Sequence, residues 1–178
     1  MKKINEFYEV QEAGVFTSIK SGLYVGIIKK VEDVGNMSYL KIDLDIFEGD
    51  YKDYYQDLYD NKGFWGLTLY RSYQNTALSY FKRFILGVEN SNNGYSWNWE
   101  EKTLVNKKIG LVLQEVEYEK QDGSIGTRMS VVATYDVDEI KQGKDKQGRE
   151  ILIPEKKKLE ESETMTISNT LGSVEIPF

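Results

Sequence analysis

The chain contains no cysteine and no histidine, and only two prolines among 178 residues. These absences remove disulfides, thiol nucleophiles, Cys/His zinc sites and any Ser-His-Asp triad. No apolar run approaches the roughly 18 residues that a membrane-spanning helix needs, so no membrane contact is expected. The opening "MKKINEFYEV" has two lysines without an apolar stretch behind them, which argues against a secretory signal. A reducing cytoplasm is the natural compartment. Basic residues are also scarce, 23 against 29 acids, giving a net charge of −6. Bulk charge therefore disfavours nucleic acid, because phosphate contacts want lysine and arginine.

The position of the charge changes that conclusion. From Leu159 to Phe178 there are four acids (Glu160, Glu161, Glu163, Glu175) and no base, a local charge of −4. Subtracting −4 from −6 leaves −2 for the rest, a nearly balanced body. A nucleic-acid function then requires a local basic face.

What is present suits one globular domain with an appended tail: 40% hydrophobic and 29% charged residues. Residues 1–22 have weak periodicity and are expected to form an arm. "GLYVGIIKKVEDV" is rich in β-branched residues, and Gly35-Asn36 supplies a turn. "SYLKIDLDIFEG" alternates strictly, with Leu40, Ile42, Leu44 and Ile46 on one face and Tyr39, Lys41, Asp43 and Asp45 on the other. "DYKDYYQDLYD" is too polar for a core and is expected as a third, exposed or edge strand. "QNTALSYFKRFILGVEN" places Leu78, Phe81, Phe84, Ile85 and Val88 at helical spacing, with Asn75 as its N-cap and "NSNNG" as its stop. "IGLVLQEVEYE" and "TRMSVVATYDV" form two further strands joined through Asp122-Gly123. "DKQGREILIP" adds a small hairpin or loop.

Three strands, one helix and two strands is the order of the OB-fold, a five-stranded Greek-key barrel with a helix between its third and fourth strands. The expected class is mainly β (α+β), with the domain at residues 23–154; a generic α+β sandwich fits the same order. Residues 155–178 lack periodicity and are dominated by charged and small polar residues. They are expected to be a flexible, disordered acidic tail, because they cannot bury enough apolar surface to offset their ordering entropy.

The terminal Glu175-Ile176-Pro177-Phe178 has a simple docking chemistry. Phe178 offers a ring for an apolar pocket and a carboxylate for a basic rim, Pro177 limits the entropy lost on docking, and Ile176 and Glu175 add apolar and anionic contacts. The competing expectation is that Val174, Ile176 and Phe178 alternate and add an edge strand to the body. An OB-like body, an acidic tail and a terminal Ile-Pro-Phe together resemble the single-stranded DNA-binding proteins of bacteria and their phages. The segments "YLKIDLDIFEGDYK", "FWG", "RSYQNTALSYFKRFI" and "GLVLQEVEYEKQDGSIGTR" are similar to a group of proteins from phages and prophages of Gram-positive bacteria, found among replication and recombination genes. The resemblance implies single-stranded DNA as ligand, no cofactor, replication or recombination proteins captured by the tip, and frequent homo-oligomerisation. The tail departs from the pattern, since only Glu175 lies beside the tripeptide where a run of aspartates is usual.

Single-strand binding needs rings for bases and cations for phosphates. The chain has 13 tyrosines, 7 phenylalanines and 3 tryptophans. "GFWGLTLYRSYQN" is the best local candidate. Trp65 lies in a glycine-flanked loop, as an exposed ring or a plug for the barrel end, and Tyr70, Arg71 and Tyr73 interleave ring and cation. Lys29, Lys30 and Lys41 on the strands could line an outer face with Tyr24 and Tyr39, and Arg128 could join from the later hairpin, although Asp43 and Asp45 share the side of Lys41. Trp97 and Trp99 are expected as core anchors of the helix. The tyrosines between Tyr51 and Tyr59 are interleaved with aspartates that would repel phosphate.

Two other functions fit parts of the sequence. Asp43, Asp45 and Glu48 could hold a magnesium ion in a nuclease, yet alternating acids on a wet strand are usually solvated and no accompanying catalytic motif is present. The balanced body, acidic tyrosine stretch and docking tip would also suit a protein-binding module or DNA mimic acting on a host enzyme.

Overall fold

The computed structural model describes residue 3 and residues 18–159. Five strands form one antiparallel sheet in the order β3-β2-β1-β4-β5: β1 Gly22–Val34, β2 Tyr39–Ile46, β3 Thr68–Ser72, β4 Lys108–Glu119 and β5 Ile125–Tyr135. Helix α1 (Tyr54–Lys62) connects β2 to β3, α2 (Leu78–Ser91) lies between β3 and β4, and α3 (Val137–Gln142) follows β5. The mainly β class, the five strands and the helix between the third and fourth follow the sequence expectation. Closure does not. Strands β3 and β5 approach each other, but no ladder of hydrogen bonds joins them among the described residues.

Strand β1 organises the sheet by serving two neighbours. Its first half, Gly22 to Ile27, pairs with β4, and Gly26 to Val34 pairs with β2. The ladder to β2 is interrupted between Ile28 and Lys30, a bulge that bends the strand and adds twist. Where the two ladders overlap, Gly26 brings the backbone against the Leu111 side chain, and a Cβ there would collide with it. The inner face buries Ile28, Ile42, Leu44, Leu69, Ile109, Leu111 and Leu113 against Phe81, Phe84, Ile85 and Val88 of α2. The helical spacing is thus realised, except that Leu78 is exposed. Asn75 does not cap α2 either: a 3-10 turn over Asn75–Ala77 precedes it, without a side-chain cap. At the other end Asn92 ties the helix to β4, donating to the carbonyls of Val88 (2.7 Å) and Lys108 (2.9 Å) and accepting from Lys108 N–H (2.9 Å).

A second, smaller core covers part of the outer face. Val25 and Val112 pack with Ile140 of α3 and Ile151 from the small hairpin bridged at Lys144 and Glu150. Helix α3 starts with a reciprocal capping box between Asp136 and Glu139, a signal present in the sequence as Asp-Val-Asp-Glu.

The stretch expected as an edge strand, residues 50–60, instead contributes α1, and β3 begins at Thr68. Tyr, Asp and Asn are mediocre helix formers, and the N-cap Asp53 offers no side-chain bond. The missing cap comes from another strand. Asp45, fully buried, accepts from the N–H groups of Tyr55 (2.9 Å) and Gln56 (3.0 Å), and from its own neighbour Ile46 (2.8 Å). Burial pushes the Asp45 carboxyl above its ordinary value, opposed by those three donors. Edge-to-face contacts from Tyr24 to Tyr51, Tyr51 to Tyr54 and Tyr54 to Tyr55 then fasten α1 to the sheet.

Residues 155–159 leave the sheet more gradually than their composition implies. Lys157 bridges Val116 in parallel, its N–H donating to Glu115 (2.8 Å) and its carbonyl accepting from Glu117 N–H (2.9 Å). Replacing Asp45 by alanine strands two helix N–H groups beside a core and is expected to cost on the order of 3 kcal/mol. Urea unfolding followed by circular dichroism measures this, and an unchanged midpoint would exclude the capping role.

Candidate nucleic-acid interface

The outer face of β1, β2 and β3 carries three cross-strand rungs. Lys30, Asp43 and Thr68 form one, Glu32, Lys41 and Tyr70 the next, and Val34, Tyr39 and Ser72 the third. Tyr70 is 55% exposed and meets Tyr39 edge to face, with ring centres 5.5 Å apart. The structure therefore places Tyr70, Lys41 and Tyr39 on one face. The face is electrically balanced, because each lysine has an acid on a neighbouring strand; Asp43 is further engaged by the Thr68 hydroxyl (2.8 Å). Among the described residues, neither Lys30 nor Lys41 takes part in an ion pair.

Other predicted residues are elsewhere. Lys29 occupies the β1 bulge, where it has no cross-strand partner on β2. Tyr73 is half-buried: its hydroxyl donates to Asp33 (2.8 Å), which raises its pKa, and its ring meets Phe81 edge-on. It staples the end of β1 to α2 and is not a free stacking surface. Trp65 is the plug of the two alternatives. Its indole N–H is shared between the carbonyls of Leu44 (3.1 Å) and Leu67 (3.0 Å), and the ring packs on the core. The ring that this loop does show is Phe64, 54% exposed. Arg71 projects to the opposite side of β3 from Tyr70, beside Leu40.

Arg128 joins Phe64 in a different place, a groove of about 420 Å³ between α1 and the β4–β5 hairpin. Three cations line it (Lys20, Arg128 and Lys156) against one acid, Glu115. Lys156 is partly committed, 3.3 Å from Glu117 and 4.0 Å from Glu115. Phe64 and the partly exposed Tyr118 supply the rings, and Tyr55 lies in the lining with a buried hydroxyl that has no partner among the described residues. Ring-and-cation chemistry is thus concentrated here in a chain that is acidic as a whole. Composition alone could not reveal it, since Lys20, Phe64, Tyr118, Arg128 and Lys156 come from five separate segments.

Trp99 overturns its expected burial. Trp97 packs on the core, but Trp99, 6.2 Å away, is 81% exposed and has a left-handed backbone (φ 68°). Alternation fails because the segment is a turn, in which Asn98 accepts from Glu100 N–H (3.2 Å). The three carboxylates considered for magnesium do not act together, since Asp45 caps α1 while Glu48 pairs with Lys141 (3.4 Å). Among the described residues no group of three or more Asp and Glu is arranged to hold a metal ion, and no helix is long and apolar enough to cross a membrane. The tip Glu175, Ile176, Pro177 and Phe178 lies outside the described residues.

No protein-family model matches this chain, and no curated protein matches it.

The different surroundings of the tryptophans make a direct check possible. Collisional quenching of fluorescence by acrylamide is expected to arise mainly from Trp99, so Trp99→Phe should remove most of it while Trp65→Phe leaves it almost unchanged. Equal losses in the two variants would contradict the locked indole of Trp65.

Proposed function

We propose that the chain is an OB-type protein that binds single-stranded DNA without sequence preference, in phage replication or recombination. The observation that carries this reading is the groove lined by Lys20, Arg128 and Lys156 together with the rings of Phe64 and Tyr118. Bases stack on any aromatic face and phosphates follow cations, so such a groove needs no sequence-specific contacts. The strand order supports the fold assignment: a five-stranded antiparallel sheet with a helix between β3 and β4 corresponds to an OB barrel left unlaced between β3 and β5. The uncovered face with Tyr39, Lys41 and Tyr70 is a second contact region on this reading, matching the surface that OB-folds use on their second and third strands. The segment Glu175–Phe178 is the proposed capture point for replication and recombination proteins.

Fluorescence titration with oligo-dT tests the binding. With three phosphates neutralised in the groove, log affinity should fall with log salt at a slope of about −2, roughly a 20-fold loss between 50 and 200 mM. Phe64→Ala should weaken binding by roughly 5- to 150-fold, the range of one lost stacking contact. Arg128→Ala should make the salt slope shallower by about 0.7. Absence of oligonucleotide affinity at every salt concentration would overturn the proposal and favour a DNA mimic. Deleting residues 176–178 is expected to preserve oligo-dT affinity while abolishing co-purification with host replication proteins; an unfolded deletion variant would instead assign the tip to the body.

A further inference from the structure

Trp99 combines two features that rarely meet in one residue. It is the most exposed large apolar side chain among the described residues, and its backbone is left-handed (φ 68°). The other described non-glycine residues with positive φ are Ser38, Asp53 and Asn106, all small and polar. A bulky side chain in that conformation is strained, and such strain persists only where the surroundings enforce it. Here they do. Trp97 N–H donates to the Glu89 carboxylate on α2 (2.8 Å), Asn98 Oδ1 accepts from Glu100 N–H (3.2 Å), and the Thr103 hydroxyl donates to the Glu100 carbonyl (2.7 Å). A 3-10 turn over Glu101–Leu104 follows at once and is anchored by Leu104, which is fully buried. The turn is braced on both sides of Trp99 and holds the indole outward. Its one ring contact among the described residues is the tilted approach of Trp97 at 6.2 Å.

The preceding residue, Asn98, lines a shallow depression of about 550 Å³ together with Tyr95, Lys102 and Lys107. Among the described residues no carboxylate lines it, and neither lysine takes part in an ion pair. Lys107 lies over the Tyr95 ring, 5.0 Å from its centre. Glu100 and Glu101 follow Trp99 but are not part of the lining, so the depression itself is the place for an anion.

We propose that Trp99 is a stacking platform for a base of a bound single strand, with Lys102 and Lys107 taking neighbouring phosphates. An indole face accepts any base, and a ring already held in place loses little freedom on doing so. An unpaired strand offers flat rings and anions at short, regular intervals, which suits an exposed ring next to two lysines. The site is separate from the groove. It lies at the start of β4, whereas Glu115 and Tyr118 of the groove lie towards its end. Lys108 and Glu115 are roughly 23 Å apart at the rise of a strand. The inference deepens the single-strand reading, on which it rests, by adding a second and distant contact.

Variants of the full chain test this with labelled oligo-dT of about 16 nucleotides, read by anisotropy and by tryptophan emission. Trp99→Ala should weaken binding by roughly 5- to 150-fold, the range of one lost stacking contact, whereas Trp99→Phe keeps a ring and should bind nearly as wild type does. Both variants should lose the quenching that oligo-dT produces in the wild type, because Trp65 and Trp97 pack on the core. Lys102→Ala should flatten the salt slope by about 0.7. The losses in Trp99→Ala and Phe64→Ala should multiply in the double variant, as for contacts too far apart to couple. Trp99→Gly should be at least as stable to heat as the wild type, since glycine adopts the positive φ freely. A loss of stability would assign the ring to the fold and overturn the proposal. If every variant binds oligo-dT equally, or quenching survives in Trp99→Phe, Trp99 is no contact while single-strand binding through the groove stands. If the wild type binds no oligo-dT at all, the single-strand reading falls and this inference falls with it.

Discussion

The structure depends on one strand being shared between two ladders. β1 can pair with β4 through its first half and with β2 through its second only because it bends at the Ile28–Lys30 bulge and has no side chain at Gly26. A straight strand would keep both neighbours in one flat sheet with its two faces open. The bend curls the sheet around α2, so a single helix covers the inner face of strands from both halves. It also decides which surfaces remain open. The outer face near β4 is covered by α3 and Ile151, whereas among the described residues no element covers that of β2 and β3, and the outermost strands approach without pairing.

Polar groups within this frame divide into those that build and those left over. Asp45 builds, since its buried carboxylate supplies the cap that α1 cannot supply itself and joins the end of β2 to the helix. Tyr73 and Trp65 build too, each using its polar atom to fasten a strand to its neighbours. Among the described residues, Arg71, Arg128 and Lys41 make no such hydrogen bond, and the rings of Phe64, Tyr70 and Trp99 are largely exposed. Net charge is a poor guide to what that remainder can do. A groove experiences its lining first and distant acids only through a screening length of about 10 Å, so three cations facing one acid can act as a basic site in an acidic protein.

Much of the architecture was legible along the chain. The alternation of Leu40, Ile42 and Leu44 and the spacing of Phe81, Phe84, Ile85 and Val88 report directly which side of an element meets apolar neighbours, because burial acts on each residue through its own period. Asp122-Gly123 was legible for a similar reason, as the hairpin turn requires a positive φ that glycine adopts freely. Residues 54–62 were not. Their weak helix propensity is overridden by Asp45, ten residues away from Tyr55, and nothing in the local pattern marks that acid as a cap. Strand-like spacing misplaced Trp99, and ring type left Trp65 open between an exposed ring and a packed one, since both depend on where a short loop turns relative to the core.

Spacing and composition along the chain suffice for the strongly periodic elements, for the order of strands around the helix between β3 and β4, and for the exclusion of cysteine and histidine chemistry. These are local properties, written in spacing and composition. Three-dimensional packing alone settles which rings are exposed, which cations share a groove, and that the Arg71 Nε–H is buried without an acceptor among the described residues. Such facts depend on pairing between residues far apart in the chain, and a one-residue difference in register would send each side chain to the opposite face.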